Sequence, residues 1–142
     1  MARAAAAGAG EHAVLIRAEA AAADDLLAAR GYLFVAPENL GSLSGAMKEM
    51  FDRLYYPLLG RIEGRAFATL IAAGSDGRGA QSQVERIVTG WRLKRVAEQL
   101  IVNLGAQIPA AILAHKVVPA DDLARCHALG AALGEGLALG VF

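Results

Sequence analysis

The 142-residue chain reads as an α/β domain built on a mostly parallel sheet, and three observations carry that class. Two continuous apolar runs, Tyr32 to Ala36 (YLFVA) and Ala66 to Ala73 (AFATLIAA), suit strands covered on both faces. Each run opens into a polar, glycine-containing loop, and each loop leads into a segment with apolar residues at helical spacing. A repeated strand, loop and helix order requires parallel strands joined by right-handed crossovers.

The elements follow in order. Met1 to Ala9 has helix-forming composition but is very short for a helix standing alone. Ala13 to Ala18 (AVLIRA) is a short strand candidate, and Ala20 to Ala29 leaves room for a helical turn or two. Pro37 should end the first buried strand, because proline has no amide to give to a ladder. Ser44 is placed to cap the next helix, whose Met47, Met50, Phe51 and Leu54 recur on one face before Pro57 and Gly60 mark its end. After the second buried strand comes the loop GSDGRG. A long helix is then expected from about Ala80 to Gln99, with Val84, Ile87, Val88, Trp91, Leu93 and Val96 as its apolar positions. Leu100 to Asn103 is a third strand candidate, and Ile108 to Ala114 is apolar without a deciding period. Asp121 is expected to cap a final helix with Leu123, Cys126, Leu129, Leu133 and Leu137 on its buried face. No linker, repeat or low-complexity tail divides the chain, so residues 1–142 are expected to form one domain.

Composition narrows the function classes. A hydrophobic content of 56% supplies a real core, yet no apolar run approaches the roughly 18 uninterrupted residues of a membrane span. Fourteen basic residues balance fourteen acidic ones, which argues against nucleic acid or any partner held by bulk charge. The single cysteine, Cys126, cannot form an internal disulfide and no signal-peptide pattern opens the chain, so a cytoplasmic location is expected. His12, His115 and His127 have no carboxylate or cysteine at ligand spacing and read as surface residues. Cys126 reads as an inert small hydrophobe, Arg86, Arg92, Lys94 and Arg95 as a solvated face, and Trp91 as core. Tyr55 and Tyr56 fit either a ligand border or an oligomer interface.

Ala36-Pro37-Glu38-Asn39, Met47 to Arg53 (MKEMFDR) and Ala73 to Gly79 (AGSDGRG) together resemble the flavodoxin-like FMN proteins, in particular the NAD(P)H-dependent FMN and quinone reductases. The likeness runs from about Ala13 to Phe142 and includes the tail from Arg125. It implies a flavodoxin-like three-layer sandwich whose parallel sheet has the order 2-1-3-4-5. It also implies FMN as cofactor, NAD(P)H as electron source and a quinone-like small molecule as acceptor. The residues expected beside the flavin ring are Pro37, Glu38, Asn39, Gly41 and Ser42, with Leu40 or Leu43 against it, and Gly74, Ser75, Asp76 and Gly77 from the second loop. No catalytic residue is assigned, since the cofactor carries the chemistry. An Ala/Leu-rich helical surface favours a homo-oligomer.

The resemblance exposes a departure. In such a fold the first strand leads into a Ser/Thr/Gly-rich loop that cradles the FMN phosphate, and this sequence has none. If AVLIRA is the second strand, the first strand is missing from the chain. The expectation is then a truncated form, or a gap filled by a partner or swapped segment. If AVLIRA is instead the first strand, the segment after it has no glycine and carries three acids. Two other functions stand beside the reductase. One is a flavodoxin-type electron carrier, disfavoured by the chain's neutrality, and the other a flavin-free interaction module.

Overall fold

A computed structural model describes all of residues 1–142. The chain opens with α1 (Ala2–Ala9), a 3-10 turn at Gly10–His12, an extended stretch over 13–17, and a second 3-10 turn at Ala18–Ala20. Then come α2 (Ala23–Ala28), β1 (Gly31–Asn39), β2 (Ser42–Leu43), α3 (Gly45–Leu58), β3 (Ala66–Ala73) and α4 (Arg78–Gly90). The chain ends with β4 (Lys94–Arg95), β5 (Leu100–Asn103), α5 (Pro109–Leu113) and α6 (Ala120–Ala138).

The sheet is parallel at its centre. β3 pairs with β1 from Gly31↔Ala66 to Pro37↔Ala72, and its other edge carries β4 and then β5, from Leu70↔Leu100 to Ala73↔Asn103. β2 folds back antiparallel on the end of β1 as a tight hairpin, Asn39↔Ser42. Side chains alternate across the pleat. Tyr32, Phe34 and Ala36 of β1 with Phe67 and Ile71 of β3 face α3 and α4, where Phe34 meets Phe51 at 5.2 Å and Phe51 meets Trp91 at 5.4 Å between ring centroids. Ala68 and Leu70 of β3 face the opposite layer, in which α1 lies along α6 with Ala5 and Cys126 fully enclosed. Glycine makes that helix contact close: a Cβ at Gly130 would fall 1.9 Å from the carbonyl oxygen of Ala5. The α/β three-layer architecture matches the expected fold, with β1, β3 and β5 in the positions of its third, fourth and fifth strands.

Several local expectations are corrected. Residues 13–17 are extended but form no strand, because no chain segment lies alongside to accept a ladder; Val14 is 85% exposed. The short N-terminal segment is a helix after all, held by α6 and not by its own propensity. Pro37 does not end its strand. β1 runs on to Asn39, since beyond β3 its other edge has no partner that would need the missing amide over 31–37. β1 is also not covered equally on both faces: Leu33 and Val35 are only half-buried. Ser44 occupies the N-cap position of α3 without a side-chain cap, and its amide donates to the carbonyl of Pro37 at 3.2 Å. Pro57 lies inside α3, which closes one residue later at Leu58.

The long helix expected to reach Gln99 stops at Gly90. Trp91 is the cause: its indole is wholly buried against Phe51 and Tyr55, its Nε1 donates to the Tyr55 carbonyl at 2.9 Å, and Arg92 then reverses the chain at φ +54°. Leu93 and Val96 therefore follow the helix and do not extend its stripe. α6 begins at Ala120 after Pro119, so Asp121 and Asp122 lie within the first turn, where they favour the helix dipole without capping it. The apolar segment of undecided period forms α5. No helix is long and apolar enough to cross a membrane.

Candidate functional site

The carboxyl ends of β1, β3 and β5 lie side by side, and the loops leaving them make one surface. Its centre is Glu38. Its position on β1 directs the carboxylate to the start of α4, where one oxygen accepts the Gly77 amide at 2.8 Å and the other the Ala80 amide at 3.0 Å. A carboxylate suits that place, because the first-turn amides of a helix have no partner within it. Gly77 itself stands at φ +92°, and a Cβ there would press on Ile101 at 2.5 Å.

The hairpin is tied to the same helix. Gln83 of α4 presents its amide oxygen to Ser42 Oγ at 2.9 Å and to the Leu43 amide at 2.8 Å. Leu43 is buried in the core, whereas Leu40 stands fully exposed at the hairpin tip with φ +53°. Of the two leucines, only Leu40 is free to lie against a ligand. The third loop closes the other side: Asn103 Nδ2 donates to the Ser75 carbonyl, Asn103 Oδ1 accepts the Gly105 amide at 2.9 Å, and the Ala106 amide donates to Gly74 at 2.7 Å. Asp76 pairs with Arg78 at 2.6 Å, and hydrogen bonding to that carboxylate raises the guanidinium above its already high range.

All eleven residues expected at the site, Pro37 to Leu43 and Gly74 to Gly77, are gathered at this one end of the sheet. Gln83, Gly79 and Asn103 were missed. Asn103 had a readable signal, being the last residue of a strand candidate that follows two strands ending in site loops. Gln83 had none, since an isolated glutamine on an amphipathic helix reads as solvated. The amides of Leu40, Gly41, Ser75 and Asp76 donate to no group of the chain, leaving a set of backbone donors on the surface. Donors of that kind fit the carbonyl- and nitrogen-bearing edge of a flat heterocycle.

Residues 7–107 match the family described as NADPH-dependent FMN reductase. The chain belongs to that family. FMN is accordingly its cofactor, and an FMN-associated oxidoreductase its functional class. Solved structures share the fold at low identity. A flavodoxin from the domain Archaea is 14% identical with a TM-score of 0.70, over 96% of this chain and 87% of that one. A flavodoxin, WrbA-like protein from Agrobacterium tumefaciens is 19% identical with a TM-score of 0.68, over 96% and 87%. A flavone reductase is 17% identical with a TM-score of 0.65, over 94% of this chain but 56% of that one. No curated protein matches the sequence.

The residues present fit one part of FMN and not the other. The unpartnered amides suit the ring, but the helix terminus at this surface already holds the Glu38 carboxylate, which would repel a phosphate.

Proposed function

We propose that Pro37 to Leu43 and Gly74 to Gly77 hold the isoalloxazine ring of FMN, and that the domain, residues 1–142, uses it to pass electrons from NAD(P)H to a quinone-like acceptor. The observation that carries this reading is the set of free amides at Leu40, Gly41, Ser75 and Asp76, on two loops that Glu38 binds together. Bound FMN supplies the two-electron chemistry, taking a hydride from the nicotinamide and reducing the acceptor. The chain supplies orientation. Backbone donors from both loops meet the polar edge of the ring, and Leu40 covers a face.

Because Glu38, Gln83 and Asn103 hold the loops in place without a ligand, the ring meets a preformed surface. The exposed Ile108, Ile112 and Leu113 around α5 offer an apolar face on which two copies can associate. The sole cysteine is buried and unpaired, in keeping with a cytoplasmic protein.

Titration of the purified chain with FMN, read by quenching of flavin fluorescence and followed by anaerobic addition of NADPH or NADH, tests the reading. Binding with bleaching of the flavin absorbance supports it. A chain that takes up no FMN overturns it, and a bound flavin that neither nicotinamide reduces assigns the carrier role instead.

A further inference from the structure

The two free amides of the second loop are aimed by the loop that follows β5. In a trans peptide the C=O and the following N–H lie in one plane and point in opposite directions. The Ala106 amide donates to the Gly74 carbonyl at 2.7 Å and Asn103 Nδ2 donates to the Ser75 carbonyl, so both carbonyls are turned toward residues 103–106. The amides of Ser75 and Asp76 are thereby turned away from that loop. The orientation of the Asn103 side chain follows from its partners: the Gly105 amide is a donor and requires the oxygen, at 2.9 Å, which leaves the nitrogen for the Ser75 carbonyl.

We propose, on the reading that these loops hold the flavin ring, that Asn103 is a positioning residue: it turns the Ser75–Asp76 peptide so that the N–H, and not the C=O, faces the ring. Ser75 and Asp76 are exposed, belong to no helix or strand and stand between Gly74 and Gly77, so local backbone restraint on this peptide is slight. The Ser75 carbonyl has one partner in the chain, Asn103. Rotated by half a turn, the peptide would set the Ser75 oxygen against the oxygen- and nitrogen-bearing edge of the ring, and two acceptors cannot bond. Gly74 needs no side chain for the same purpose, because the Ala106 amide holds its carbonyl. The choice of face also bears on reduction. A donor aimed at an edge that gains negative charge when the flavin takes up a hydride is worth more to the reduced form than to the oxidised one.

Residual dipolar couplings of the isotope-labelled chain, measured without flavin, read the orientation of the Asp76 amide directly. They should fit a single orientation in the parent and fall by about half or more in Asn103→Leu, as the peptide samples both faces. Asn103→Asp keeps an acceptor for the Gly105 amide but loses the donor to Ser75, and it should give the same fall. With FMN bound, Asn103→Leu should weaken the oxidised complex about tenfold and the reduced complex about tenfold more, which lowers the midpoint potential of the two-electron couple by about 30 mV. Parent-like Asp76 couplings in both variants would overturn the proposal, and so would a loss of affinity with no change in potential. A parent chain that takes up no FMN overturns the flavin reading instead, and the couplings, which need no ligand, still decide whether Asn103 sets the peptide.

Discussion

Gly79 faces Gly41 so closely that a Cβ at position 79 would lie 2.0 Å from the Gly41 carbonyl oxygen. The first turn of α4 and the hairpin tip are therefore in backbone contact, which no other residue type at 79 allows. Gly79→Ala should push the hairpin off α4, lowering stability by about 1–3 kcal/mol, the usual cost of overpacking. FMN affinity should fall about tenfold or more as the two loops separate. Thermal melts and flavin titration of the same preparation check both effects.

Glu38→Gln keeps the shape of the side chain but turns one acceptor oxygen into a donor facing an amide. One of the two hydrogen bonds at Gly77 and Ala80 is lost and a buried donor is left unmatched, so stability should drop by about 1–2 kcal/mol. Urea unfolding measures it. A loss below a few tenths of a kcal/mol would show that the link between the loops is not held by this carboxylate.

Riboflavin and FMN differ only by the phosphate. With Glu38 already on the helix terminus of the site, residues 1–142 should bind riboflavin within about tenfold of FMN. Parallel titrations decide this, and FMN tighter by about a thousandfold would reveal a phosphate contact elsewhere on the chain.

Tyr32 is buried, donates to the Leu26 carbonyl at 2.8 Å and receives Arg65 at 3.1 Å. Burial raises its phenol above the ordinary value of 10, and Arg65 offsets part of the rise. The folded state thus holds the proton more tightly than the unfolded chain. Its contribution is complete below about pH 10 and is lost as pH climbs through the raised folded value. Tyr32→Phe should cost about 1 kcal/mol at pH 7 through the lost hydrogen bond. The gap between variant and parent should narrow above pH 10, which denaturant unfolding at pH 7 and pH 11 measures.

Much of the molecule was legible in the chain. YLFVA and AFATLIAA are apolar enough to demand a sheet with helices on its faces, and the residues after each run have the turn chemistry of a binding loop, so fold class and site region followed from local pattern. Tertiary contacts decided what local pattern could not. Trp91 continues a helical stripe in sequence, but burying its indole against Phe51 ended α4 about two and a half turns early. AVLIR has the composition of a strand, yet a strand needs a neighbour, and without one beside β1 it remains extended and unpaired. Glu38 could be placed near a flavin by resemblance, but its partners Gly77 and Ala80 lie about forty positions away, and only the parallel pairing of β1 with β3 brings them together. Side-chain composition is local, whereas hydrogen-bond partners are set by packing between segments distant in the chain.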